Sequence, residues 1–123
     1  MGRSYRDLVA WQLAMDLVTE VYRVTKLFPV EERYGLTNQL RRAAVSVPSN
    51  IAEGQARFSA KQFHRFPGTA RGSLVEIETQ LEIAKNLGYL SRVQAAALLK
   101  STAETGRVLN GLLAAIKNAA SLS

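Results

Sequence analysis

The sequence predicts an all-α fold, an antiparallel up-down-up-down four-helix bundle, on three observations. Apolar residues recur at intervals of three and four through four successive segments. Each segment opens or closes on a helix signal, and the connections between segments are only a few residues long. No strand-like alternation or Asn-Gly hairpin interrupts them. Helices of roughly twenty to thirty residues joined by such short loops must double back on their neighbours. The 123 residues make one domain, large enough for a single core without cross-links.

The first helix is expected over 5–27. Ser4 followed by Asp7 is close to a capping box, and Phe28-Pro29 ends the segment. Leu8, Trp11, Met15, Val18 and Tyr22 form one stripe along it. Leu13, Leu17, Val21, Val24 and Phe28 form a second, on a different side. A helix with two apolar faces needs two partners, so Leu13, Leu17, Val21 and Val24 are the candidate oligomer interface. Acidic Glu31 and Glu32 lead into the second helix, 35–57, with its stripe of Leu36, Leu40, Ala43, Val47 and Ile51. Pro48 lies inside it. The third helix, 59–87, opens on a Ser59 and Gln62 capping pair and stops at Gly88; Ser91 and Gln94 repeat the device for the fourth, 91–119. Folding the second helix on the third about Phe58 sets Ala43 near Leu74, Ser46 near Ala70 and Arg71, and Pro48 level with Pro67-Gly68. That register predicts small residues facing each other and a coincident pair of mid-bundle kinks.

Composition excludes several kinds of chemistry. There is no cysteine and a single histidine, His64, so disulfides, thiolate nucleophiles and multi-histidine metal sites have no material. No phosphate-binding glycine loop is present. Catalysis would have to rest on carboxylates such as Glu53 and Glu76 beside His64, and no nucleophile, base and orienter converge in the pattern. A non-enzymatic protein with no cofactor is expected. No segment approaches a membrane span and no secretory signal opens the chain, which makes a cytoplasmic protein the expectation.

Sixteen basic against ten acidic side chains give a net charge of +6, a bias toward polyanions. Arg57, Lys61 and Arg65 recur at intervals of four, with His64 beside them and Arg71 further along. Such a stripe can follow a phosphate backbone, which makes RNA or DNA a candidate partner; it can equally be a solvated face, leaving a protein-interaction scaffold as the alternative. Gln12, Gln39, Asn50, Glu53 and Arg71 sit on or beside the apolar stripes. They either fix register within a core or specify a subunit interface.

The run Asp7-Leu8-Val9-Ala10-Trp11-Gln12, then Phe28-Pro29, Gly35-Leu36, and above all Ser46-Val47-Pro48-Ser49-Asn50-Ile51-Ala52-Glu53-Gly54, resembles the bacterial four-helix-bundle proteins encoded in intervening sequences of 23S ribosomal RNA genes. Ala70-Arg71-Gly72-Ser73-Leu74 and Leu87-Gly88-Tyr89-Leu90 continue the match. The resemblance implies a homo-oligomer, a ring-forming pentamer. More distantly, the chain is similar to the pentameric accessory proteins of diversity-generating retroelements, which implies contact with nucleic acid and a partner protein. Pro67 departs from the family pattern, where an ordinary helix former stands.

Overall fold

The computed structural model describes residues 4–56 and 60–122, with side chains for 4–56 and 65–119. Four helices account for most of it: α1 is Val9–Thr25, α2 Leu36–Ala56, α3 Ala60–Asn86 and α4 Arg92–Leu122. The last two helices run back along each other. Arg71 meets Asn110 and Leu74 meets Gly106, so residue numbers fall along α3 as they rise along α4, an antiparallel pair. The α2–α3 contact is the most intimate in the bundle.

The helix ends follow local chemistry, with one departure at the start. Ser4 Oγ does accept a backbone N–H, from Arg6 at 3.2 Å, but it opens a 3-10 turn, Tyr5–Asp7, and not the helix itself. The chain is extended at Leu8 (φ −74°, ψ 125°) before α1 begins, and Gln12 Nε2 ties turn to helix by donating to the Arg6 carbonyl at 2.8 Å. At the far end of α3, Gly88 adopts φ 79°. Tyr89 N–H reaches the Ala84 carbonyl at 2.9 Å and Gly88 N–H the Lys85 carbonyl at 3.0 Å, the Schellman closure that glycine permits. α4 opens with the reciprocal cap: Gln94 N–H donates to Ser91 Oγ at 3.0 Å and Ser91 N–H to Gln94 Oε1 at 2.9 Å. The Ser59 and Gln62 pair lies outside the described residues.

The core takes one stripe from each helix. Leu17, Val21, Leu40, Val47, Ile51, Ile77, Leu81 and Leu109 are buried in it, with Ala10, Ala14 and Ala44 at the close approaches. Each large apolar side chain withdrawn from water contributes about 1.5–3 kcal/mol. Thr102 and Thr105 are buried too, and their hydroxyls donate one turn back, to the Leu98 and Ser101 carbonyls at 2.7 and 2.8 Å. This corrects the two-face expectation for α1. The stripe that enters the core contains Leu17 and Val21; of the other stripe, Leu8, Trp11 and Val18 are half-buried against the core, and only Met15 and Tyr22 are left 40% and 39% exposed. A leucine at 1% and a valine at 0% exposure within the isolated bundle have no surface left for a neighbouring subunit.

α2 and α3 each continue as one helix through their prolines, Pro48 and Pro67. Ser46 Oγ lies 2.9 Å from Ser73 Oγ, which fixes the register. It is offset from the expected one by two to three residues, so Pro48 comes level with Arg71 and Pro67 with Ala52, and the prolines are not opposite each other.

One polar staple closes the loop end of the bundle. Glu32, in a 3-10 turn over Val30–Glu32, accepts from Leu36 N–H at 3.0 Å through Oε1 and from the Tyr89 hydroxyl at 2.9 Å through Oε2. It thereby joins the α1–α2 connection to the α3–α4 connection. A Cβ on Gly35 would stand 2.7 Å from that Oε1, so a side chain there would push the carboxylate off its bond to Leu36. The Leu36 N–H and then the Tyr89 hydroxyl hold the carboxyl below its usual value of 4.5, and the same bond to Glu32 raises Tyr89 above 10.0. Since the folded pKa of Glu32 is depressed, its contribution is present above the ordinary carboxylate value and fades as pH falls through the folded one; for Tyr89 it fades as pH rises through the raised value. Glu32→Gln is therefore expected to lower Tm at neutral pH and to flatten the acid limb of the Tm against pH curve, measured by circular dichroism.

Candidate interaction surfaces

Of the residues the sequence nominated for binding, Arg57 lies outside the described residues, and so do the side chains of Lys61 and His64. Arg65 and Arg71 are both exposed on α3, yet they do not share a face. Six residues apart, they project about 120° from each other around the helix. Arg71 turns toward α4, its Nη1 3.5 Å from Asn110 Oδ1, and Arg65 sits with its guanidinium 5.7 Å from the Phe66 ring centroid. Of the nominated interface residues, Leu17 and Val21 are core, and Leu13 and Val24 are half-buried.

A polar groove runs instead along the seam of α2 and α3. On α2, Gln39, Arg42, Ser46 and Asn50 recur at intervals of three and four; on α3, Ser73, Glu76 and Gln80 do the same. Those periods bring each set to one flank, and the Ser46–Ser73 bond joins the flanks at mid-length. Asn50 Nδ2 braces the seam by donating to the Ser46 carbonyl at 2.8 Å and to Ser46 Oγ at 3.0 Å. Beyond the serines the helices part around a hollow of about 280 Å³ whose walls include Gln39, Arg42, Glu76 and Gln80. Arg42 and Glu76, both exposed, carry opposite charge on the two walls without forming an ion pair among the described residues. Gln80 is 9% exposed, and its Oε1 is buried with no hydrogen-bond donor among the described residues. Such a group destabilises a fold by about 1–3 kcal/mol. Of this groove, sequence reasoning found Gln39 and Asn50 as polar residues beside an apolar stripe; Gln80 looked like any surface glutamine.

The remaining surface is mixed. Glu82 pairs with Lys85 at 3.2 Å and Glu104 with Arg107 at 3.7 Å, each along its own helix, as do Glu20 and Arg23. Such exposed pairs contribute little. A cleft of about 480 Å³ between α1 and α4 is lined by Leu27 and Val93, which are 75% and 79% exposed. Among the described residues no cluster of His, Asp or Glu could hold a metal ion, and no helix is long and apolar enough to cross a membrane.

No curated protein matches the chain. Among solved structures, a protein of unknown function from the S23 ribosomal protein family of Bacteroides thetaiotaomicron is similar with a TM-score of 0.79 and 20% identity, over 85% of this chain and 98% of that one. At that identity the likeness speaks for the fold. A family model described as 23S rRNA-intervening sequence protein matches residues 6–111, reaching into α4 well past Leu90, where the recognisable motifs end. With four helices in place and most of its length matched, the chain belongs to the 23S rRNA-intervening sequence protein family.

Proposed function

We propose that this protein acts without catalysis, as a bundle that associates with copies of itself through the α2–α3 groove and in that form holds nucleic acid by its positive charge. The observation that carries the reading is the unpaired, buried Oε1 of Gln80 in the wall of a groove lined by amides, serines and one charge of each sign. A native fold keeps few such groups, and each calls for a reason. A donor from a neighbouring subunit, reached when the terminal amide turns outward, supplies one. Opposite charges on Arg42 and Glu76 suit a polypeptide surface better than a polyanion, which supports assembly over phosphate binding as the use of this groove. Arg42→Glu is expected to shift the protein toward monomer in sedimentation velocity, while Arg107→Glu, on α4, leaves assembly intact. A groove variant that sediments like the unaltered protein rejects the surface; release from a different captured protein points to the scaffold alternative.

Nucleic-acid binding is supported by the +6 charge, which assembly multiplies, since weak phosphate contacts repeated around an oligomer gain avidity without new contacts. Fluorescence anisotropy with labelled single-stranded RNA and DNA is the check. Affinity should fall linearly with salt on logarithmic axes, by roughly 0.7 per phosphate neutralised. No binding at about 50 mM salt would end this half of the reading.

A further inference from the structure

The connection from α1 to α2 gathers three cations around one hollow. Lys26 lies one residue past α1, Arg33 one residue past the 3-10 turn, and Arg41 in the second turn of α2. With Thr25, Thr37 and Asn38 they line a cavity of about 290 Å³ that has no carboxylate in its wall. The acids nearest in sequence do not neutralise it. Both oxygens of Glu32 are engaged by Leu36 and Tyr89, and Glu31 is exposed and outside the lining.

Arg41 is the fixed member of the three. Its Nε donates to Thr25 Oγ1 at 2.8 Å, and that hydroxyl, on a residue only 3% exposed, donates in turn to the Val21 carbonyl at 2.7 Å. Its guanidinium lies 4.5 Å from the centroid of the Tyr22 ring. The contact with the ring and the Nε bond hold the group in place and leave the two Nη groups without a protein acceptor among the described residues. A guanidinium held in this way is a preformed fork for two oxygens of one anion. Thr37 and Asn38 belong to the first turn of α2, the end at which the helix dipole is positive. The hollow is at or below the small end of ligand pockets, roughly 300–1,000 Å³, which suits a single oxyanion group and not a large apolar ligand.

We propose that this hollow binds a phosphate group, with Arg41 as its bidentate donor and Lys26 and Arg33 as flanking charges. Three like charges around one hollow repel one another, and one phosphate offsets that repulsion. The same chemistry is presented by free phosphate, a mononucleotide and a nucleic-acid backbone. The site serves the nucleic-acid reading given above without depending on it.

The test is a heteronuclear NMR titration of the full chain with inorganic phosphate, then a 5′-nucleoside monophosphate, then a short oligoribonucleotide. Saturable shifts concentrated on Lys26, Arg33, Thr37, Asn38 and the Arg41 side chain are expected. Arg33→Gln and Lys26→Gln, both at exposed positions that leave the core intact, should each weaken phosphate binding about tenfold, the scale of one lost charge-assisted contact; Arg92→Gln, outside the hollow, should not. Tighter binding of the oligonucleotide assigns the source to a nucleic-acid backbone, and equal binding of inorganic phosphate assigns it to the free ion. Shifts spread evenly over exposed lysines and arginines, or variants that bind like the parent, overturn the site. RNA retained equally by the parent and by the Lys26→Gln, Arg33→Gln double variant, without localised phosphate shifts, overturns the site while the nucleic-acid reading stands. Localised phosphate shifts with no RNA retained at low salt do the reverse.

Discussion

Leu17→Asp will leave the chain unfolded, and will not release folded monomers from an assembly. Leu17 is 1% exposed within a single bundle, among the largest side chains the core encloses. Truncation to alanine at such a position removes about 2–5 kcal/mol, through lost burial and the cavity left behind. Aspartate adds the desolvation of a carboxylate, or the work of keeping it protonated. Domains of this kind hold about 5–15 kcal/mol in total, so Leu17→Ala should fold with a lowered Tm and Leu17→Asp should not fold near neutral pH. Far-ultraviolet circular dichroism separates the outcomes. A helical, monomeric Leu17→Asp would mean that the second face of α1 is an interface after all.

Gln80→Leu has the opposite signature. In the single bundle the buried Oε1 has no donor, and replacing the amide with an apolar group of similar shape removes a penalty of about 1–3 kcal/mol. The isolated chain should therefore gain several degrees in Tm, on the order of 4 °C per kcal/mol for a domain of this length. Self-association should weaken at least tenfold, because the side chain that turns to meet the neighbouring subunit can no longer make a hydrogen bond. A variant that is more stable and less associated is difficult to explain by damage to the fold. Unchanged association constants in analytical ultracentrifugation would dismiss Gln80 as an interface residue.

Much of the fold was legible in the sequence because helical signals are local. The Ser91 and Gln94 cap, the Gly88 stop and the α2 stripe from Leu40 to Ile51 depend on residues three or four apart, and they stand where the pattern put them. Three things were not local. The choice between two apolar faces of α1 turned on Ala10 and Ala14, small residues with little apolar weight that admit close approach and so direct their stripe inward. The α2–α3 register hung on where the chain turns between the helices, and the Ser46–Ser73 contact moved it by two to three residues. The cationic hollow draws Lys26, Arg33 and Arg41 from a helix end, a turn and a helix interior, which share no period; the basic stripe at intervals of four was visible by its spacing alone. The polar groove was half visible, since Gln39 and Asn50 flank an apolar stripe, but nothing local marks Gln80 as buried.

Association of the bundle with itself is the claim on which the functional reading turns. Multi-angle light scattering on the eluting protein, over a hundredfold range of concentration, tests it most directly. The expected result is a mass at a whole-number multiple of the 13.5 kDa chain, falling toward the single chain in Arg42→Glu. A uniform 13.5 kDa species at every concentration would contradict it.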